Sequence, residues 1–315
     1  MVESGHASRP HVSQWSRYWQ TGARTSLPLN FDQNYDGEVE AFWSQCFSAL
    51  DGQARIADVC CGNGAVAMLA AKHREEKNCA WSIDAFDAAN LDTAVLAACW
   101  RAQAAALSRV SFHGNQPLES WAPSEGRFDL IGSQYGLEYC DVEAAAPRLI
   151  DGLAPAGRLV VVSHVNDGEV HSTMQLEMAG YRALEASGVL SVLKSWHINQ
   201  LSTTDFLRRV RRTGQRLADQ RPRSPLIDSV LQALSALLAM EPAQLVGTRQ
   251  QAGDYHLDLV TARQRAEDLL TVMERVSTDQ WLEPLLKHGL KIVLEQALHD
   301  SHGSVVGIAR IWELH

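Results

Sequence analysis

Two acids and a glycine turn carry the first chemical signal. In the stretch ARIADVCCGNGAVAMLAA, residues 54–71, Asp58 lies in an apolar run, Gly62 and Gly64 break that run, and an alanine-rich segment restarts as a helix. Asp58 stands four positions before Gly62; a second acid, Asp84, closes the next apolar run 22 residues after it, with Asp87 as its competitor three residues on. Glycines between a parallel strand and a helix let the backbone approach a ligand closely and aim the helix N-terminus at it. A nucleotide or nucleoside ligand is therefore expected. Gly62, Gly64 and Ala67 spell G-x-G-x-x-A, which a dinucleotide-binding dehydrogenase also carries. Each acid has a structural alternative, Asp58 as a helix cap and Asp84 as a turn residue.

Holding such a turn requires a sheet, and the chain supplies one. Short apolar runs at 54–59, 80–83, 109–112, 128–133 and 158–164 alternate with helix-length segments at 65–72, 91–107 and 142–153. Strand–helix alternation predicts a doubly wound parallel sheet. Before it, Trp15, Tyr18 and Trp19, then Val39, Phe42, Trp43, Cys46 and Phe47, recur at three- and four-residue intervals, the mark of two amphipathic helices. After it, residues 165–255 offer only helical patterns, a stretch too long for a loop and read as a helical cap inserted into the core. A further helix at 261–276 leads to two apolar runs around DSHGS, an antiparallel hairpin. The expected divisions are 1–50 for the N-terminal helical segment, 51–164 for the nucleotide-binding core, 165–255 for the cap and 256–315 for the rest of the core.

Ligands of open α/β sheets sit outside the carboxyl ends of the strands. Beyond the fourth strand that places Tyr135, Glu138 and Tyr139 as candidates for acceptor chemistry, and beyond the fifth His164, with His171 in the segment that follows. For His164 the choices are a base, a substrate contact or a satisfied core histidine. For Glu138 and Tyr139 the favoured alternative is structural, a helix start in GLEYCDVEAA. In the cap, Met174, Met178, Tyr181, Trp196 and His197 could line a partly apolar pocket, though at helical spacing such residues are usually core.

The order Asp58, Cys60-Cys61-Gly62-Asn63-Gly64, Asp84 over five strands resembles the class I S-adenosylmethionine-dependent methyltransferases, whose first motif runs apolar-Asp-x-Gly-x-Gly-x-Gly. Cys60 stands where that motif has its first glycine. The resemblance covers most of 54–164 and again 261–315. It implies an α/β fold: a doubly wound, mostly parallel seven-stranded sheet with an antiparallel last strand. Its implied roles are Asp58 toward the cationic amino group of the methionine moiety, and the backbone of Cys60, Gly62 and Gly64 around that moiety. Asp84 would accept from the ribose hydroxyls. Asn115, with Gln116 beside it, would lie at the adenine amine, and Ser133 and Gln134 near the methionine end. Tyr35 belongs to an N-terminal segment that in several small-molecule methyltransferases folds over the cofactor; its alternative is an aromatic staple between helices. The cofactor implied is S-adenosyl-L-methionine, with S-adenosyl-L-homocysteine as product, and in-line methyl transfer requires no metal.

Bulk properties narrow the partners. A formal charge of −9 speaks against a nucleic-acid partner, which demands a basic face. The basic run RRVRRTGQR, 208–216, sits at helical spacing and reads as a solvated helix face. The six cysteines form no C-x-x-C pair and no zinc spacing, and such scattered thiols fit a reducing compartment. With no leader-like or membrane-spanning apolar stretch, a cytoplasmic protein without a membrane partner is expected. A small-molecule methyl acceptor is the favoured partner, and a homodimer is compatible with the sequence. The alternatives are non-methyl chemistry on the same cofactor, such as aminocarboxypropyl transfer, and an NAD-type oxidoreductase or silent binding module.

Overall fold

The structure, a computed structural model, describes residues 12–27, 33–122, 126–166, 168–220 and 223–315. Residues 1–11, on which the expectation of no leader mainly rests, and 28–32 of the N-terminal segment lie outside the described residues.

In chain order the elements are α1 (Val12–Gln20), α2 (Gly37–Ser48), β1 (Arg55–Val59), α3 (Ala65–Lys77), β2 (Ser82–Phe86), α4 (Thr93–Cys99), α5 (Ala104–Leu107), β3 (Val110–His113), β4 (Phe128–Gln134), α6 (Val142–Gly152) and β5 (Leu153–Ser163). Then come α7 (Gly168–Ser187), α8 (Val189–His197), α9 (Thr203–Ala218), α10 (Pro225–Leu238), α11 (Pro242–Val246), α12 (Arg249–Val276), α13 (Glu283–Lys287), β6 (Leu290–His299) and β7 (Val305–Leu314). The sheet has seven strands in the order β3-β2-β1-β4-β5-β7-β6. The first five are parallel; β7 runs antiparallel to both β5 and β6. This is the α/β fold the sequence led us to expect, antiparallel hairpin included.

The two faces of the sheet are legible in the alternation of its strands. Ile56, Leu130, Val160 and Val162 pack with Trp43 and the alanines of α3 on one face, while Ala57, Ile131, Leu159, Val161 and Trp312 pack with Leu149 of α6 on the other. Central parallel strands covered on both faces read as continuous apolar runs, which explains RIADV and LVVV. The β4–β5 ladder runs unbroken only from Leu130↔Arg158, because Pro155 and Gly157 lie in an excursion that follows the pair Phe128↔Leu153.

Three expectations are corrected. Strand β2 covers 82–86 and not 80–83, so Asp84 lies inside the strand and Asp87 follows its last residue. An acid is tolerated inside β2 because His113 of β3 meets it, with Nε2 at 3.0 Å from the carboxylate. The single helix expected at 91–107 is broken into α4, a 3-10 turn at Arg101–Gln103 and α5. The break falls at Trp100, whose buried indole donates to the carbonyl of Asn63 at 2.7 Å and so fixes the chain on the glycine turn. Third, the boundary drawn at 255 falls within the continuous helix α12.

The chain divides into two compact units: Met1–Asp167 with Thr271–His315, which holds the sheet, and Gly168–Leu270. The second has its own core of Leu184, Val189, Trp196, Phe206, Val210 and Val230. Met178, Tyr181 and Trp196, weighed as pocket residues, are buried in that core, where the Trp196 ring stacks on Phe206 at 4.3 Å and lies under the Arg249 guanidinium at 3.6 Å. No described helix is long and apolar enough to cross a membrane.

Candidate functional site

The turn after β1 is built from three left-handed residues, Cys60 (φ 58°), Gly62 (φ 53°) and Gly64 (φ 84°), the conformation that favours glycine. Its geometry is fixed from two sides. Cys61 donates to the carbonyl of Phe86 at 3.0 Å and Gly64 to that of Cys61 at 2.8 Å. Asp87, at the end of β2, accepts from the backbone N–H of Gly62 and, through its other oxygen, from that of Ala89, both at 2.7 Å. One oxygen of Asp58 accepts from the N–H of Ala67 at 2.9 Å, in the first turn of α3. The capping alternative for Asp58 is thus realised, and any contact with a ligand falls to lone pairs the cap leaves unused.

Both carboxylates are buried, and burial dominates their titration. It pushes Asp58 up to about 7 against the pull of the Ala67 N–H, and the charge of Asp87 adds to the rise. Asp87 is raised in the same way, opposed by its two N–H donors. Two buried acids side by side are poised for a cation or for hydroxyl donors.

Helix α1 covers this turn. Asn63 donates through its amide to the carbonyls of Trp19 (2.8 Å) and Ala23 (2.7 Å), and Asn90 donates from its backbone to Ser16 Oγ at 3.0 Å. A side chain on Gly62 would overlap the Trp19 indole, and one on Gly64 would meet the ring of Phe112. Trp15, stacked on Trp19, reaches the ring of Tyr139 edge-on at 5.3 Å. In the sequence these residues show only amphipathic spacing. The missed signal is the pairing of an aromatic triplet with Asn63, a side chain with two donors inside a glycine turn. The turn is covered by α1, and Tyr35 is buried edge-on against Tyr135 at 6.0 Å.

A second cluster follows β4. Ser133 Oγ accepts from the N–H of Leu137 at 3.1 Å, and Gln134 accepts from the Trp43 indole while its buried amide nitrogen has no hydrogen-bond partner among the described residues. Tyr135, left-handed at φ 53°, donates to the carbonyl of Val306 at 2.9 Å and stacks on His164 at 4.6 Å. Glu138 is fully buried; one oxygen accepts from the His164 N–H at 2.8 Å, the other has no hydrogen-bond partner among the described residues, and burial pushes the acid up to about 7 against the pull of nearby backbone N–H groups. Burial drives His164 down to about 3, which leaves it neutral, with Nε2 3.3 Å from the Tyr139 hydroxyl. From outside, Arg275 donates to the carbonyls of Glu138 (2.7 Å) and Cys140 (2.9 Å) and pins the segment.

The two clusters meet at Gly136. A Cβ there would overlap the Cys60 Cβ, so the missing side chain of Gly136 makes room for the cysteine that replaces a glycine of the motif. Gly136→Ala is expected to lower stability by about 1–3 kcal/mol through overpacking. Adding Cys60→Gly should restore most of the loss, as read by denaturant melts of the single and double variants. No rescue would mean that the two positions are not coupled.

Asp58, Cys60, Gly62, Gly64 and Asp87 are therefore gathered at the turn, and Ser133, Gln134, Tyr135, Glu138, Tyr139 and His164 next to it. Asn115 and Gln116 lie at the end of β3, their backbone N–H groups donating to Ala89 and Asp87 carbonyls at 2.9 and 2.8 Å and their side chains exposed. Asp84 is the exception. Its carboxylate is engaged by His113 inside the strand, whereas that of Asp87, its competitor for the implied ribose role, lies at the turn.

No family profile and no curated protein matches the sequence. Among solved structures, the chain is similar to a TehB-like SAM-dependent methyltransferase from Corynebacterium glutamicum, at 21% identity over 49% of this chain and 73% of that one, with a TM-score of 0.33. It is similar to the glycopeptide N-methyltransferase MtfA complexed with sinefungin, at 10% identity over 89% and 95%, TM-score 0.43, and to the [4+2]-cyclase SpnF, at 19% identity over 49% and 58%, TM-score 0.36. The strand order, the antiparallel β7 and the glycine turn after β1 give this chain the class I, Rossmann-like methyltransferase fold.

Proposed function

We propose that the chain binds S-adenosylmethionine at the turn after β1 and transfers its methyl group to a small-molecule acceptor. The observation that carries this reading is the turn itself, three left-handed residues clamped by Asp87 with Asp58 buried beside it. The fit is chemical: two buried carboxylates suit an ammonium and a ribose diol, while the Gln134 amide nitrogen and one Glu138 oxygen, without hydrogen-bond partners among the described residues, offer a donor and an acceptor. The sulfonium supplies an electrophilic methyl group. The protein's part is to orient the two reactants in line and to keep water out. The chain's negative charge favours a metabolite over a nucleic acid as acceptor.

His164 acts here as a contact. A histidine driven down to about 3 is too weak a base to take a proton at neutral pH, and its Nε2 is paired with the Tyr139 hydroxyl. His164→Ala is expected to raise KM for the acceptor about tenfold with kcat little changed. A fall in kcat with KM spared would make it the base after all.

Calorimetric titration with S-adenosylhomocysteine and with NAD tests the cofactor, and tight NAD binding alone would sink the proposal. Incubation with S-adenosylmethionine and a metabolite extract then reads the chemistry by mass spectrometry. A product heavier by one CH2 supports methyl transfer; one heavier by an aminocarboxypropyl group assigns the alternative use of the cofactor.

A further inference from the structure

Cys60 and Cys140, 80 residues apart in sequence, place their sulfur atoms 3.6 Å from each other. Neither position is incidental. Cys60 is one of the left-handed residues of the glycine turn, and its Cβ fills the hollow left by Gly136. Cys140 ends the 3-10 turn Leu137–Tyr139 that carries Glu138 and Tyr139, its N–H donating to the Leu137 carbonyl at 3.0 Å and its own carbonyl held by Arg275. Both are partly accessible, whereas Cys46, Cys61 and Cys99 are buried. Cys61, although adjacent to Cys60, turns its thiol to the Gly62 carbonyl at 3.3 Å.

We propose that Cys60 and Cys140 are a dithiol that closes to a reversible disulfide, tying the glycine turn to the segment after β4 and weakening cofactor binding. The effect on binding rests on the cofactor reading above; the linkage itself does not. The oxidant is a low-molecular-weight disulfide. One protein thiolate attacks a sulfur of the oxidant, giving a mixed disulfide and expelling one thiol. The second protein thiolate then attacks the protein sulfur of that mixed disulfide and expels the other thiol. Two protein S–H bonds and one S–S bond are lost, one protein S–S bond forms, and both protons and both electrons leave with the oxidant. A disulfide brings its sulfurs to about 2.0 Å, so the 3.6 Å gap must close by rotation of the two cysteine side chains or by movement of the segments that carry them. The turn cannot follow freely, because Gly62 is held by Asp87 and Asn63 by α1.

The test uses glutathione disulfide on the full-length protein. Intact mass should fall by two hydrogens, peptide mapping should show Cys60 joined to Cys140, and S-adenosylhomocysteine affinity should drop at least tenfold and recover on adding dithiothreitol. Cys140→Ser should remove both the link and the redox dependence of affinity. Stable glutathione adducts without a link, a link to another cysteine, or no reaction would overturn the dithiol. A Cys60–Cys140 link that leaves affinity unchanged would overturn the gate. If the reduced protein does not bind S-adenosylhomocysteine, the cofactor reading fails and the mass and mapping results still decide the linkage.

Discussion

Asp87→Ala should weaken S-adenosylhomocysteine binding by about 2–3 kcal/mol, on the order of a hundredfold, as charged hydrogen bonds to the ribose are lost. Asp84→Ala should stay within about threefold, because its partner is the His113 ring on the sheet face and nothing at the turn depends on it. Part of the Asp87 effect would come through the turn, since the same carboxylate holds Gly62 and Ala89. Asp87→Asn removes the charge while its amide oxygen still accepts from one backbone N–H, although its NH2 group then faces the other. Calorimetry gives the affinities and a thermal melt shows whether the turn survives. The reverse order, with Asp84 dominant, would return the ribose to the strand interior and refute the placement of the site.

That reversal shows where the sequence stops being informative. The turn after β1 could be read directly, because left-handed residues and a strand–helix junction leave a local mark in glycine and alanine. The end of β2 could not. A reader who ends a strand at its first acid stops at Asp84, and only the register Asp84↔Ser111 and the ring of His113 two residues further along β3 show why the strand goes on. The break at Trp100 has the same origin: its indole is bonded to Asn63, a contact across 37 residues that no periodicity encodes. The role of α1 was hidden most fully. Trp15, Tyr18 and Trp19 give the pattern of any amphipathic helix, and what distinguishes this one is that its apolar side rests on Gly62 and Tyr139. Long-range partners, not local propensity, decided the end of β2 and the break at Trp100.

Affinity for S-adenosylhomocysteine should climb with pH up to about 7 and then level off. In the ligand-free protein Asp58 keeps its proton up to about pH 7, held there by burial. A cationic amino group binds the ionised carboxylate, so below that value each binding event must also expel a proton. With Asp58 as the titrating group, affinity should fall about tenfold for each pH unit below 7. Stability of the free protein should move the opposite way. The folded-state value lies above that of the unfolded chain, so folding takes up a proton between about pH 4 and 7. The stabilisation is complete below that window and is lost as pH rises through 7. Ligand should therefore raise the melting temperature little near pH 5.5 and much more near pH 8. Glu138 titrates in the same range, so the variants must distinguish the two acids. Asp58→Asn should flatten the pH dependence of affinity, whereas Glu138→Gln should keep it. A wild-type affinity that stays level across this window would show that Asp58 does not face the ammonium and leave it only as the cap of α3.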